Sequence, residues 1–145
     1  MCGAAVSAAT SRCWRLHYIG FFAIFHHRLG DDLHMDSIGV GVVGCGFVGR
    51  GAHVPAFSKI EGSELVAVAD PDTKRLGKVA KKYAPKATYA DYADLVQDPN
   101  VQAVVVAAPT PLHAKASMAA INAGKHVLCE MPLAASLEDA DKLID

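Results

Sequence analysis

Short apolar runs alternate with segments of helical periodicity along most of this chain, and that alternation restricts the possible folds more than any other feature. Apolar runs cover residues 37–43, 64–70 and 103–107, and shorter runs lie at 87–89 and 125–129. Continuous apolar runs of this length are typical of strands that are buried on both faces of a parallel sheet. Strands that alternate with helices form βαβ units. We therefore predict an α/β fold with a doubly wound, Rossmann-type parallel sheet.

The spacing of apolar residues predicts a helix after each strand. The predicted helices cover residues 48–60, 73–83, 91–97 and 111–123, and a last helix begins at Ser136. Pro55 has no N–H to donate, so the first of these helices should kink or end early. Residues 71–73 supply the turn and the N-cap of the second helix, and Gly124 closes the fourth.

The composition is that of a globular domain. Apolar residues make up 52% of the 145 residues, and 14 basic residues against 15 acidic ones leave a net charge of −1, which gives no electrostatic reason to bind nucleic acid. The longest apolar run, Ile19–Phe25, is shorter than the roughly 20 residues that a membrane span needs. Four scattered cysteines without a CxxC pair indicate a reducing compartment. We predict a cytoplasmic protein with no nucleic-acid or membrane partner.

Residues 1–34 differ from the rest of the chain, and we interpret them as an N-terminal extension to a domain at 35–145. They contain no lysine, and their only acidic residues are Asp31 and Asp32. Two interpretations remain open for this extension, which we expect to be disordered. It is either a transit-like segment that targets the chain to an organelle or an upstream stretch of a chain whose translation begins at Met35.

One group of possible metal ligands lies in this extension. The group is His26, His27, Asp31, Asp32 and His34. Adjacent histidines followed by adjacent aspartates fit neither one helix face nor a zinc-finger spacing. We therefore predict no metal site.

A glycine-rich loop follows the first predicted strand. Its glycines, Gly44, Gly46 and Gly49, have the GxGxxG spacing of a dinucleotide-binding loop. The same pattern occurs at residues 39–44, but only the later frame follows a strand and precedes a helix, as the motif requires. The predicted roles are a tight turn at Gly44, close approach of the pyrophosphate at Gly46, and packing of the helix on the strand at Gly49. The candidate binding residues here are Gly44, Gly46, Phe47, Val48 and Gly49.

An acidic residue follows at the distance expected for a nucleotide ribose. Asp70 ends the second predicted strand, 21 residues after Gly49. An acid at this place bonds the ribose hydroxyls of NAD and repels the extra phosphate of NADP. The other interpretation is that Asp70 only caps the turn at Pro71. We predict NAD as the cofactor, with Lys74 and Arg75 close enough to weaken the discrimination.

Two further segments complete a resemblance to a known family. They are Ala-Ala-Pro-Thr-Pro-Leu-His at 107–113 and Ala-Gly-Lys-His-Val-Leu-Cys-Glu-Met-Pro-Leu-Ala at 123–134. Together with the glycine loop and Asp70, they resemble the Gfo/Idh/MocA oxidoreductases from about Ser37 to the end of the chain. The resemblance implies that a segment like Ala108, Pro109 and Thr110 lines the cofactor near its centre. It also implies that His113 closes that turn, that Glu130 reaches the nicotinamide end and that Met131 packs there.

The resemblance also implies an activity and shows one departure from it. The family transfers a hydride between NAD and a hydroxyl of a sugar, cyclitol or related compound, and a second domain supplies further substrate contacts. Where the family carries Glu-Lys-Pro, this chain has Met131 in place of the lysine. A thioether cannot replace an ammonium in proton transfer. We therefore name no catalytic residue, and we expect a truncated chain that lacks the substrate domain and forms homo-oligomers through its uncovered surface.

Two other functions remain open from the sequence. One is a non-catalytic protein that binds or senses NAD, and the other is a fragment of an NAD-dependent glycosidase. Cys45 lies at a helix N-terminus, which lowers a thiol pKa, so it is either a reactive thiol or a small residue that fills the loop. For His113 we favour a positioning role over proton transfer, and for His126 a packed or sheet-edge position.

Overall fold

The computed structural model describes residues 37–144, which form a five-stranded sheet flanked by helices. The strands are β1 (Ile38–Val43), β2 (Ser63–Ala69), β3 (Ala87–Tyr89), β4 (Ala103–Val106) and β5 (His126–Cys129). Their order is β3-β2-β1-β4-β5, and every neighbouring pair is parallel. The predicted doubly wound parallel sheet is confirmed, and each predicted strand lies within one residue of its expected bounds at either end.

The helices follow the strands in the predicted order. They are α1 (Val54–Phe57), α2 (Thr73–Tyr83), α3 (Tyr92–Gln97), α4 (His113–Asn122) and α5 (Leu137–Ile144). A π-helical turn, Gly49–His53, precedes α1, and a 3₁₀ turn, Thr110–Leu112, precedes α4. None of the helices in this part of the chain has the length and apolar character needed to cross a membrane.

The first helix departs from the regular α-helix that we predicted to Ile60. In the π-helical turn the Val54 N–H bonds the Gly49 carbonyl, and α1 ends at Phe57. Pro55 falls in the first turn of α1, where its missing N–H leaves no bond unmade. The Ser58 hydroxyl closes the end by donating to the Pro55 carbonyl at 3.0 Å. The helix thus ends before Ile60, in agreement with the expected early end, whereas the wider π-helical turn before Pro55 was not predicted.

Side-chain caps fix the starts of the other helices. Asp72 accepts hydrogen bonds from the backbone N–H groups of Lys74 and Arg75 at the start of α2. Asp91 does the same for Ala93 at the start of α3. Such caps satisfy donors that have no partner within the helix. The predicted cap of α2 therefore comes from Asp72.

Two apolar clusters cover the two faces of the sheet. Successive residues of β4 divide between them: Val104 and Val106 belong to one cluster, and Val105 belongs to the other. Side chains alternate between the faces of a strand, so this division places one cluster on each face. Burial on both faces explains why the strand sequences are apolar throughout rather than alternating with polar residues.

The earlier of the two glycine frames is explained by packing. Gly39 and Gly41 lie within β1, where a Cβ at Gly39 would collide with the Asn100 carbonyl. A Cβ at Gly41 would lie 2.7 Å from Cδ2 of Leu95. These glycines therefore let the segment after α3 approach the strand, which leaves the later frame as the loop. Our expectations for residues 1–34, including the histidine and aspartate group, lie outside the described residues.

Candidate cofactor-binding site

The glycine loop connects β1 to the π-helical turn by a close backbone crossing. Gly44 has φ of +98°, and a Cβ there would lie 2.5 Å from the Ala107 carbonyl oxygen. A Cβ at Gly49 would collide with the Gly44 carbonyl itself. Gly46 faces open space, with nothing within 4 Å of where its Cβ would stand. The loop therefore has one glycine for the turn, one for helix packing and one whose backbone stays accessible.

Asp70 joins the end of β2 to this loop. Asp70 is only 4% exposed. Oδ2 accepts the backbone N–H of Cys45 at 2.7 Å, and Oδ1 accepts the backbone N–H of Asp72 at 2.8 Å. The Arg75 guanidinium lies 3.3 Å from Oδ1 of Asp70 and 3.3 Å from Oδ2 of Asp72. Asp70 thus caps its own turn, as one interpretation held, and it also fixes the glycine loop through a bond that the sequence did not reveal.

A cleft of about 480 Å³ opens at the carboxyl ends of β1, β2 and β4. This is the place where the chain order of the sheet reverses, since β1 is flanked by β2 and β4. Open α/β sheets bind their ligands at such a switch point. Seven of the predicted site residues line the cleft: Gly44, Gly46, Phe47, Val48, Asp70, Ala108 and Pro109. Gly49 is buried at the loop instead.

Other cleft residues were not foreseen as site residues. Pro71, Ala90, Asp91, Tyr92 and Leu112 belong to this group. Three of them follow β3, a strand that carries no cofactor motif. Their place in the cleft depends on β3 pairing with β2. For those three, the sequence offered only the predicted short strand at 87–89, without its place in the sheet.

The remaining predicted residues surround the ends of β4 and β5, beyond the cleft lining. Thr110 begins the 3₁₀ turn, and His113 is buried at the start of α4. The two ring nitrogens of His113 lie 2.7 Å from the carbonyl oxygens of Ala108 and Pro132. The ring therefore contacts the loops that follow both strands.

Glu130 and Met131 follow β5 and face different surroundings. Oε1 of Glu130 lies 2.5 Å from Nε2 of His53, whose ring stacks on Phe57. Met131 is 88% exposed, and its bond to Pro132 is a cis peptide. The His53–Glu130 contact joins residues 77 positions apart and was not foreseen. It ties the glycine-loop helix to the end of β5.

The structure contradicts a reactive Cys45. The thiol is fully buried, and burial, together with the nearby Asp70 carboxylate, raises its pKa to about 11. At neutral pH it is a thiol and not the nucleophilic thiolate. Cys45 therefore fills the loop, and the lowering expected from the helix N-terminus is outweighed by burial.

Two further expectations concern His126 and metal ions. His126 is exposed at the start of β5, an edge strand of the sheet, in agreement with the expected edge position. Within residues 37–144, no three His, Cys, Asp or Glu side chains are grouped to hold a metal ion.

Comparison with known proteins assigns the chain to a family. Residues 38–145 match the oxidoreductase family GFO_IDH_MocA, NAD-binding Rossmann fold. An inositol 2-dehydrogenase of Rubrobacter xylanophilus is 41% identical over 111 residues, which cover 76% of this chain and 31% of that protein. A myo-inositol 2-dehydrogenase of Thermotoga maritima is 36% identical over 73% of this chain and 31% of its own length.

Solved structures show the same relationship. The scyllo-inositol dehydrogenase of Lactobacillus casei, solved with bound NAD(H) and scyllo-inositol, superposes with a TM-score of 0.71 at 28% identity. The match covers 74% of this chain and 32% of that one. The chain thus spans about a third of the length of the relatives it matches. It belongs to the Gfo/Idh/MocA oxidoreductases and corresponds to their NAD-binding Rossmann domain.

Proposed function

We propose that residues 35–145 bind NAD for a cytoplasmic oxidoreductase that transfers a hydride between NAD and a hydroxyl of a cyclitol or sugar. The observation that carries the proposal is the buried Asp70 carboxylate bonded to the backbone of an open glycine loop. The substrate class is taken from the relatives, which are named as inositol dehydrogenases. The free thiols Cys45 and Cys129 support a reducing compartment.

The pyrophosphate is assigned to the glycine loop. Backbone N–H groups at a helix N-terminus attract anions, both as donors and through the helix dipole. Gly46 leaves its backbone uncovered on the side of the cleft, so a phosphate can approach closely. Phe47 and Val48 are both exposed beside it and provide apolar walls.

The ribose of the adenosine half is assigned to Asp70. Each carboxylate oxygen accepts about two hydrogen bonds, and each oxygen of Asp70 already receives one from the backbone. Arg75 also lies 3.3 Å from Oδ1, so the acceptor capacity that remains for a ribose hydroxyl is on Oδ2. The same fixed negative charge opposes the 2′-phosphate of NADP. Arg75 is 47% exposed at its side chain and offsets part of that charge.

The nicotinamide end is assigned to the residues after β4 and β5. We assign Ala108, Pro109 and Thr110 to the centre of the cofactor, and Glu130 and Met131 to the nicotinamide ring. In support, Ala108 and Pro109 line the cleft, and the His113 ring contacts the Ala108 carbonyl. When bound, NAD supplies the hydride-accepting ring, while the protein binds and orients it. No ammonium stands at position 131 to hold a substrate proton.

Cofactor titration by calorimetry tests this assignment. The unsubstituted chain should bind NAD more tightly than NADP. The substitution Asp70→Asn keeps the side-chain volume but removes the charge, so it should weaken NAD binding and reduce the preference for NAD over NADP. Asp94→Asn removes a charge from an exposed position on α3 and serves as the matched control. Equal or tighter binding of NADP by the unsubstituted chain would contradict the role of Asp70.

A further inference from the structure

One side-chain contact joins the π-helical turn after the glycine loop to the end of β5. Nε2 of His53 lies 2.5 Å from Oε1 of Glu130. The two side chains are 16% and 34% exposed, so the contact is largely shielded from water. The His53 ring also stacks on Phe57, with 6.4 Å between the ring centres, which favours one orientation of the ring. His53 is therefore held by its own helix while it contacts a distant element.

The chemistry of the pair assigns the donor and the acceptor. A carboxylate only accepts hydrogen bonds, whereas an imidazole donates from the nitrogen that carries its proton. One ring proton, on Nε2, is enough for this bond, so the contact needs no positive charge on His53. Oε2 of Glu130 makes no hydrogen bond to any group in residues 37–144. Glu130 therefore keeps one oxygen that can accept a hydrogen bond from a ligand.

The π-helical turn sets the direction of the His53 side chain. In this turn the Val54 N–H bonds the Gly49 carbonyl, five residues back, and His53 is the last residue of the turn. An α-helix makes the same bond four residues back, so the wider turn gives its last side chain a different direction. Single π-helical turns are frequent at functional sites. This favours a functional reason for the direction of His53.

The pair connects elements that lie two strands apart in the sheet. The π-helical turn follows β1, Glu130 follows β5, and β4 lies between these strands. The first of these elements continues the glycine loop, to which we assign the pyrophosphate, and the second carries the residues that we assign to the nicotinamide ring. The His53–Glu130 contact therefore links the two ends of the proposed site directly.

We propose that His53 is a positioning residue that fixes the carboxylate of Glu130 at the nicotinamide end of the site and thereby orders the nicotinamide ring of the bound cofactor. This inference rests on the proposed function for the location of that ring. His53 acts on the cofactor only through Glu130, whose Oε2 accepts a hydrogen bond from the nicotinamide half. The affinity for the cofactor still comes mainly from the glycine loop and Asp70.

The first test separates the order of the ring from the affinity for the nucleotide. NADH fluoresces more strongly when a protein holds its nicotinamide ring away from its own adenine, so the rise in emission on binding reports the order of the ring. His53→Ala should lose most of this rise, while its affinity for ADP, which has no nicotinamide, should change by less than about twofold. His53→Gln should retain the rise, because the glutamine amide can donate to the same carboxylate. Lys59→Ala, at an exposed position just after α1, is the control and should change neither quantity.

The outcomes of this test distinguish the inference from the proposed function. An unchanged rise in His53→Ala would overturn the inference, as would a loss that His53→Gln does not restore. A matching loss of ADP affinity would mean that His53 supports the glycine loop and would also overturn it. If the unsubstituted chain binds NADH without any rise in emission, the inference alone fails. If the unsubstituted chain binds neither NADH nor ADP, the proposed function itself fails.

The second test asks whether His53 acts through Glu130. Glu130→Ala should lower the emission of bound NADH at least as far as His53→Ala does. In the double variant His53→Ala/Glu130→Ala the loss should equal that of Glu130→Ala alone, since the contact between the two side chains is already absent. Losses that add in the double variant would mean that His53 acts on the cofactor independently of Glu130, and the proposed positioning role would be wrong.

Discussion

The residues that we assign to the adenosine half of NAD (the adenosine side) and those that we assign to its nicotinamide half (the nicotinamide side) are held in place by different contacts. On the adenosine side, the backbone N–H of Cys45 in the glycine loop donates a buried hydrogen bond to Asp70 at 2.7 Å, and the Asp72 N–H donates to the same carboxylate at 2.8 Å. On the nicotinamide side, Met131 projects into solvent, and the contacts that order its loop come from His113 and from the His53–Glu130 pair. The adenosine side is therefore preorganised by hydrogen bonds from the backbone, while the nicotinamide side depends on a few long-range side-chain contacts.

This difference means that the residues proposed to give affinity for NAD are not those proposed to lie near its reacting ring. In the proposed assignment, the fixed donors and acceptors of the adenosine side hold the part of NAD that does not react. Rate enhancement requires groups positioned at the reacting atoms. On the nicotinamide side, Glu130 is engaged by His53 and position 131 carries no ionisable group. We therefore expect binding without turnover from the 145-residue chain.

The absence of turnover is the largest effect expected. Missing positioning alone amounts to about 7 kcal/mol, or about five decades of rate at 1.4 kcal/mol per decade. The measurement is NADH absorbance with the 145-residue chain, NAD and a panel of inositols and sugars. Turnover above the protein-free background that survives Met131→Ala would place catalytic groups elsewhere in this chain and would remove the distinction between the two sides.

Substituting the packing glycine of the adenosine side should cause the largest loss of stability. In Gly49→Ala the new methyl group collides with the Gly44 carbonyl, and neither backbone can move without displacing the loop. We expect a decrease of about 3 kcal/mol in the free energy of unfolding, measured with denaturant, and a loss of NAD binding.

Gly51→Ala is the matched control for this substitution. Gly51 lies in the same π-helical turn with nothing within 4 Å of its Cβ position, so alanine there should be neutral or stabilise the protein by about 0.5 kcal/mol. If both substitutions have the same effect, close packing at Gly49 is not what preorganises the loop.

Removing the Asp70 side chain should have a somewhat smaller effect. Asp70→Ala leaves the buried backbone N–H groups of Cys45 and Asp72 without an acceptor. The expected loss in the free energy of unfolding is about 2 kcal/mol. Asp94→Ala, at an exposed position of α3, should cost less than about 0.5 kcal/mol. A similar cost at both positions would show that the carboxylate of Asp70 does not hold the loop.

Acid should weaken the adenosine side through the cap of α2. Hydrogen bonds from the Arg75 and Lys74 backbone lower the pKa of Asp72 in the folded chain. A lowered folded pKa gives stability that is present above the unfolded value, about 3.9, and is lost as the pH falls through the folded one. Unfolding midpoints measured from neutral pH into strong acid should therefore fall less steeply for Asp72→Asn. An unchanged pH profile would exclude this cap as a source of acid sensitivity.

The adenosine side was more predictable from sequence than the nicotinamide side, for a physical reason. The glycine spacing and the acid after β2 are local patterns, imposed by a tight turn and a strand end. Three contacts of the site join residues that are far apart in the sequence. The Cys45 N–H donates to Asp70 across 25 positions, His113 contacts Pro132 across 19, and His53 contacts Glu130 across 77. Such contacts depend on how the sheet places its strand ends, and the single sequence carries no pattern for them. The choice between the two interpretations of Cys45 likewise depended on its burial, which packing determines.

The smallest effect compares two equally exposed apolar residues, one from each side. Phe47 is 87% exposed and lines the cleft, whereas Met131 is 88% exposed and lies outside the cleft lining. Because both already face solvent, alanine at either position should change the free energy of unfolding by less than about 0.5 kcal/mol. Their effects on NAD should differ, since covering part of the Phe47 ring is worth about 1 kcal/mol, or about fivefold in affinity. We expect that loss for Phe47→Ala and less than about twofold for Met131→Ala, measured by calorimetry. A loss at Met131 equal to that at Phe47 would mean that Met131 packs against the bound nicotinamide, so both sides of the site would bind the cofactor tightly.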